Sequence, residues 1–554
     1  MKSKNLVILF IIVALLSGLL TACQDAAAPE VSDTATPKGN ESTPTPGAET
    51  SRTEEEENGG FKLPIVDEKV ELTIWTTYAP AATTRLASEY DNPAVIEMEK
   101  RTNVRINHLY PSSTDAQVQF NLSISSGDYP DSYITDPIYY VGGLDKYIDD
   151  GIILDLTDLT SYFPNYQRIR TADEDTRRRS STDAGRIPGI YEIVKRPQPS
   201  FIGLVTRGDL LDSWGVEKPR TYQEYHDLLV RFRDAGMATP LLLWGNNGLD
   251  DGFMAGYDVA WSNYNGFFHV GNEVKFAPLE QGFRDYVTMM NQWYSEGLID
   301  PNFTTPRAFG DHSAYANGDA GIWSTLYTLF TPIELSSPIE GFRITTIEPP
   351  VKNIGDHRKL SIYWQSNALV IAAIQTVTSA CKHVDVMLKF YDYLFTEEGS
   401  LLANYGIEGL TYNMVDGKPV FTDLVLYDTE GYGSIYAIWG DYLWNITKRW
   451  YDWERELLPT MSEETLNAGP FWDRNFIDEY TLPYANLNIS VEDSARFSSI
   501  INDANTYINE TVAKFITGAV PLGEYDNFIA TLKEMGVDEA IALLQESYDR
   551  FLKR

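Results

Sequence analysis

Val70-Glu71-Leu72-Thr73-Ile74-Trp75 alternates apolar and polar side chains, so it reads as a strand with Val70, Leu72 and Ile74 on one side. Downstream, a helical stretch runs from about Thr84 to Arg101, with Leu86, Tyr90, Val95 and Met98 as its apolar members and Asn92-Pro93 as a break. Asn103-Val104-Arg105-Ile106 is a second strand, Ala116–Ser125 a second helix, and Ser132-Tyr133-Ile134-Thr135 a third strand after the turn Ser126-Gly127-Asp128-Tyr129-Pro130-Asp131. Strand, helix, strand, helix, strand implies a parallel sheet wound right-handedly, and therefore an α/β fold.

A second α/β region begins near Gly203-Leu204-Val205-Thr206. There Thr221 is the N-cap of an amphipathic helix to about Asp234, and Glu224 three residues later completes a capping box. Leu241-Leu242-Leu243-Trp244, Ala320-Gly321-Ile322-Trp323 and Ala368–Ala373 read as buried strands. Ser379–Phe395 and most of Tyr507–Arg554 read as helix, and the chain shows no internal repeat.

The 554 residues exceed what one core needs, so two large lobes are expected. With 79 Asp and Glu against 44 Lys and Arg, the net charge of −35 repels phosphate backbones, which excludes nucleic acid as a partner. Aromatic residues make up 13% of the chain, an excess of amphipathic ring surface that suits a ligand site. Cys23 and Cys381 are the two cysteines of the sequence, too few for a disulfide framework once Cys23 is assigned to a lipid anchor.

Residues 1–22 have the form of a secretory signal: Lys2 and Lys4, the apolar run Leu6–Leu16, then Ser17-Gly18-Leu19-Leu20. That run is too short to span a membrane as a helix. Leu20-Thr21-Ala22-Cys23 resembles the bacterial lipobox, which implies a palmitate-type diacylglyceryl lipid on Cys23 as the first mature residue. Residues 23–62, rich in Ala, Pro, Thr, Ser and Glu and including Glu54-Glu55-Glu56-Glu57, cannot bury a core and read as a tether. Such a chain reaches on the order of 30–35 Å, enough to lift a folded body clear of the headgroups. The expected location is the extracellular face of the membrane of a Gram-positive bacterium, with the lipid as anchor.

The order of segments resembles the extracellular solute-binding proteins of carbohydrate ABC importers, the family-1 type that includes maltose-binding proteins and a long Gram-positive lipoprotein branch. The likeness rests on the lipobox, the Ser126–Asp131 turn, and Arg207-Gly208-Asp209-Leu210-Leu211-Asp212 leading to Lys218-Pro219-Arg220-Thr221-Tyr222. It continues through Tyr315-Ala316-Asn317-Gly318-Asp319-Ala320-Gly321-Ile322, Phe395-Thr396-Glu397-Glu398-Gly399, Tyr405-Gly406-Ile407-Glu408-Gly409 and Tyr548-Asp549-Arg550-Phe551. A departure is Gly321-Ile322-Trp323, where the family segment ends in Ala-Met. The resemblance implies a periplasmic-binding-protein-like fold: two α/β lobes, a hinge and an interlobe ligand cleft. It places lobe 1 at residues 63–204 and 362–406, and lobe 2 at 205–361 and 407–554. It also implies a monomer that delivers an oligosaccharide to the transmembrane subunits of an ABC permease, uses no cofactor and breaks no bond.

A saccharide site wants flat aromatic platforms together with carboxylates and amides. Trp75 and Tyr78 follow the first strand at the carboxyl end, where ligands of wound sheets sit, and Asp136 follows the third. Trp244 and Trp323 end apolar strands of the second lobe, and Tyr327, one helical turn past Trp323, lies by the resemblance near the position where a maltose-binding protein presents a stacking aromatic; Trp261 lies in the polar aromatic loop Ala260-Trp261-Ser262-Asn263-Tyr264, and Trp364 stands at a lobe crossing. For each ring the competing assignment is core packing, and Trp439, Trp444, Trp450 and Trp453, at helical spacing, are read as packing. Glu408 sits between Gly406 and Gly409 in a hinge-like segment.

The same composition suits a secreted glycoside hydrolase, which needs two carboxylates flanking the scissile bond at about 5–10 Å. With so many acidic residues, proximity of two is no evidence, and a sensory or adhesive lipoprotein is a third alternative. The sequence has no His-Glu-x-x-His, Gly-x-Ser-x-Gly or phosphate loop. Asp155-Leu156-Thr157-Asp158 and Asp250-Asp251, read as exposed loops, are not expected to bind Ca²⁺.

Overall fold

The computed structural model describes residues 61–77, 85–112, 115–243, 247–261, 265–305, 312–363, 369–432, 435–443, 449–483 and 486–554. The signal segment, Cys23 and nearly all of the tether lie outside them, as do Tyr78, Trp244, Trp364 and Trp444.

Followed from its start, the chain forms β1 (Val70–Thr76), β2 (Val104–Leu109), β3 (Ser132–Thr135) and β4 (Ile190–Val194), then leaves for β5 (Ile202–Arg207) and β6 (Thr239–Leu241). A hairpin, β7 (Phe267–Val270) and β8 (Glu273–Phe276), precedes β9 (Ala320–Leu326) and β10 (Ile344–Thr346). The chain returns with β11 (Val370–Val377), makes the hairpin β12 (Tyr412–Val415) and β13 (Lys418–Phe421), and adds β14 (Trp450–Tyr451). Two principal sheets result, β14-β4-β11-β3-β1-β2 and β10-β5-β9-β6. The expected α/β class with two lobes is what the molecule adopts.

Asn92-Pro93, read as a break, is a helix start. The Asn92 side chain accepts from the Ala94 and Val95 amides, Pro93 occupies the first turn where no amide donor is needed, and helix Pro93–Thr102 ends at Asn103 with φ of 61°. The capping box predicted at Thr221 and Glu224 opens helix Tyr222–Asp234.

Alternation along the strands covers both faces of both sheets. In the first sheet Leu72, Ile74 and Ile134 pack into one core, and Trp75, Tyr133 and Ile374 into another. In the second, Leu204 and Ile322 face the helices Gln281–Ser295 and Val491–Thr517, while Val205 and Trp323 face Trp472 of helix Glu463–Trp472. Sheets of this kind leave only their ends open to a ligand.

The lobe boundaries differ from expectation at two places. Residues 202–204 already belong to β5 of the second sheet. Residues 407–451, assigned above to lobe 2, sit with lobe 1: β14 pairs in parallel with β4, and Asn92 Nδ2 donates to the carbonyls of Gly440 and Leu443 at the end of helix Ile435–Tyr442. The Tyr405–Tyr412 segment is a turn into the β12–β13 hairpin, with Gly406 and Gly409 at φ of 84° and 81°, and the crossing to lobe 2 follows β14 instead.

Candidate functional site

Strand direction fixes where the two lobes face one another. β1, β3, β4 and β14 run parallel and β11 opposes them, so their carboxyl ends and the amino end of β11 share one sheet edge. In the second sheet the carboxyl ends of β6, β9 and β10 share an edge with the amino end of β5. The chain passes between these two edges three times, through 195–201, between Tyr363 and β11, and through 452–462.

The described parts of the connections are laced together. Val194 N donates to Leu369 O at 2.9 Å and Lys195 N to Tyr451 O at 2.8 Å. Trp453 Nε1 donates to Arg196 O at 3.2 Å, while the Arg196 guanidinium meets Asp452 at 3.2 Å and Glu454 at 2.9 Å. Val194, Tyr451 and Trp453 form one apolar knot, and Ile202, Ile362 and Tyr363 form a second. Repeated chain passages between two separately cored sheets are an arrangement suited to hinge rotation.

Aromatic and acidic groups collect at this seam. Tyr327, directly after β9, is buried, and its hydroxyl pKa is pushed up by burial and then by Glu456 and Tyr436. Tyr436 rises from helix Ile435–Tyr442 of the other lobe, is 53% exposed, and sets its ring at 85° to Trp439 with centroids 5.4 Å apart. Below it Arg455 lies over the Trp439 ring at 4.2 Å. Tyr405 donates to Asp452 at 3.2 Å and Tyr451 donates to Glu456.

On the lobe 2 side of the second connection, Tyr363 donates to Asp250, which also accepts from Gly252 N at 2.9 Å. Burial, against which the Tyr363 bond works, raises the Asp250 carboxyl to about 6. The neighbouring Asp251 accepts from Trp261 N at 2.6 Å. These two aspartates are buried, where an exposed loop was expected: the short helix Asp251–Met254 folds them under Tyr363 and Tyr286. At Asp155 the carboxylate caps its own turn, accepting from Thr157 N at 3.0 Å and from its hydroxyl at 2.5 Å. Among the described residues no three His, Cys, Asp or Glu side chains converge on a metal position, and no helix is long and apolar enough to cross a membrane.

The structure distributes the predicted residues as follows. Tyr327 stands at the seam. Asp136 follows β3 at the open sheet edge; burial pushes its carboxyl up, and no described group hydrogen-bonds it. Trp261 is largely enclosed by Phe276, Phe283 and the close approach of Gly266, whose φ of 83° brings its backbone against the indole. Trp75 and Trp323 lie within the lobes. Trp75 packs on Phe120 and Tyr133, and Trp323, three residues short of the end of β9, stacks on Tyr315 with centroids 5.1 Å apart. Both project onto the second covered face of their sheets, a consequence of strand alternation that the sequence reading of each as a strand end did not include.

The sequence reading missed Tyr436, Tyr405, Arg455 and the Asp250–Tyr363 pair; Trp439, read as packing, is buried in a core with Tyr405, Phe421 and Ile438. Asp452-Trp453-Glu454-Arg455-Glu456 has the look of a solvated charge run, yet Asp452, Trp453 and Arg455 are buried. The combination of hydroxyl donors, carboxylate acceptors and ring surfaces between two hinged bodies is equipped to grip a hydroxylated ligand.

Comparison with known proteins agrees with this geometry. Residues 76–400 match the family described as bacterial extracellular solute-binding protein. The chain is 23% identical over 485 residues to lipoprotein LipO of Bacillus subtilis (strain 168), covering 82% of this chain and 89% of that protein. It is 23% identical over 536 residues to the fructooligosaccharide ABC transporter substrate-binding protein FusA of Streptococcus pneumoniae serotype 4, covering 89% and 92%. Among solved structures, the alginate-binding protein AlgQ2 without calcium ion superposes with a TM-score of 0.63 at 23% identity, covering 88% of this chain and 99% of its own.

Proposed function

Because the chain belongs to the bacterial extracellular solute-binding proteins, we propose that it captures an oligosaccharide between its lobes and passes it, chemically unchanged, to an ABC permease. The single observation behind this reading is the seam itself. Rings and acids from both lobes, Tyr327 on one side and Tyr436, Trp439 and Tyr405 on the other, stand where three connections allow rotation. A ligand favours the closed state only by the difference between its affinities for closed and open forms. Contacts contributed by both lobes at once supply that difference.

FusA, named for fructooligosaccharides, and its coverage of nearly the whole chain support an oligosaccharide as ligand. In this reading Asp136, Tyr327 and Trp261 contact or border the ligand, Tyr78, Trp244 and Trp364 extend the platform, and Trp75 and Trp323 keep the walls rigid. Lipid on Cys23, supported by the lipobox and by the lipoprotein LipO, holds a monomer at the outer face of the membrane. The test is calorimetry of the full chain, kept in a detergent without a sugar headgroup, against plant-wall and bacterial-wall oligosaccharides, followed by mass analysis of the recovered ligand. Saturable binding with recovery of intact ligand is expected. Turnover of every bound sugar to products would assign a hydrolase instead.

A further inference from the structure

Arg455 is 2% exposed, and among the described residues no carboxylate lies within ion-pair distance of it. Its Nη1 donates to Asn404 O at 2.6 Å, while Nε and Nη2 are enclosed and meet no acceptor among the described residues. A buried cation in that state is expensive, since both desolvation and two unmade hydrogen bonds count against it. The nearby acids are engaged elsewhere: Asp452 accepts from Arg196, Tyr405 and the Glu454 amide, and Glu456 accepts from Tyr451. Beyond the leader and the tether, the one acid outside the described residues is Asp311.

The two unsatisfied atoms are the side edge of the guanidinium, whose parallel N–H bonds match the two oxygens of a carboxylate. The flat face of the same group is fixed on Trp439 at 4.2 Å, and Asn404 holds the far nitrogen, so the edge is pre-aimed. Tyr436, half exposed and standing edge-on against the same indole, adds ring surface of the kind a sugar face packs on.

From this geometry we propose that Arg455 is a carboxylate-binding position of the cleft and that the ligand is an acidic oligosaccharide, one bearing uronic acid units, whose carboxylate bonds Nε and Nη2 side-on. The inference rests on the carbohydrate-binding reading above and narrows it. The edge is enclosed in this conformation, so the proposal requires that parting of the lobes uncovers it, and the carboxylate then supplies a counterion that no described residue provides.

The experiment compares free trimers of galacturonate, mannuronate and guluronate with their methyl esters by calorimetry on the full chain. Esterification removes the charge and leaves the ring in place. At least one free acid is expected to bind roughly ten- to a hundredfold more tightly than its ester, the range of a charged bidentate hydrogen bond. Arg455→Met should erase that preference, and Arg455→Lys should retain part of it, with melting curves showing that both variants fold. Neutral oligosaccharides binding while no acid is preferred over its ester would overturn this inference and leave the carbohydrate reading standing. Binding of no saccharide, charged or neutral, would remove the carbohydrate reading and this one with it. Should Arg455→Met fail to fold, the acid-against-ester comparison on the unaltered chain decides by itself.

Discussion

Replacing Asp250 by Asn isolates the consequence of burying an acid beside Tyr363. The carboxyl is held at about 6 in the folded chain against 3.8 for the unburied group, because burial outweighs the Tyr363 and Gly252 bonds and Asp251 adds like charge. A raised folded pKa means that the unfolded chain releases the proton first. Below 3.8 both states hold it and the site is neutral in its effect; between 3.8 and about 6 a penalty accumulates, and above 6 it is complete. Two units at 1.36 kcal/mol each give about 3 kcal/mol of destabilisation at pH 7.5. Asn keeps the acceptor that Tyr363 and Gly252 use while removing the charge. Asp250→Asn is therefore expected to unfold in urea at pH 7.5 with about 1–3 kcal/mol more stability than the unaltered chain, and with no gain at pH 4. The relevant quantity is the difference between the two proteins at each pH, which cancels every other titrating group. An equal loss of stability at both pH values would show that the carboxylate is a net structural asset and that the reasoning from burial is wrong.

Trp323→Ala should cost about 3–5 kcal/mol in urea unfolding, since its ring is fully buried against Tyr315. Tyr327→Phe should leave unfolding within about 1 kcal/mol and weaken oligosaccharide binding in calorimetry several-fold, the reverse pattern. Glu464 accepts from Thr346 N at 2.7 Å, Thr346 Oγ1 at 2.5 Å and Thr345 Oγ1 at 2.9 Å; burial works against its charge, but these bonds win and hold its pKa below the ordinary value. Its stabilisation is complete above 4.5 and is lost as pH falls through the lowered folded pKa, so Glu464→Gln should lose about 1–3 kcal/mol at pH 7 and much less in acid. Cys23→Ser, followed by cell fractionation, should move the protein out of the membrane fraction.

How legible the fold was depended on whether local pattern or distant contact set the structure. β1 and the capped helix Tyr222–Asp234 are local, built from alternation and a Thr-x-x-Glu box, and both stand where the pattern puts them. Asn92-Pro93 carried the right signal with two meanings, and only the hydrogen bonds of Asn92 to the Gly440 and Leu443 carbonyls and to its own helix show which applies. The misplaced crossing at Tyr405–Tyr412 has a clear cause. β14 is two residues long, has no periodicity to detect, and is a strand solely because β4 lies beside it. Within the site, Tyr327 was legible by its place one helical turn past Trp323 and by the family resemblance, whereas Arg455 was hidden in a run of alternating charge whose burial depends on Asn404 and Trp439 from elsewhere in the chain.

The late arrival of β14 bears on how the molecule can assemble after export. A chain threaded outward beginning at its amino terminus presents β1 to β4 early, yet the strand that covers the β4 border of that sheet emerges about 380 positions after Val70, following every described strand of the opposite lobe. Until then the backbone of β4 keeps an uncovered margin, and such margins recruit neighbouring chains into aggregates. A truncated product ending before Trp450 would carry that uncovered border permanently.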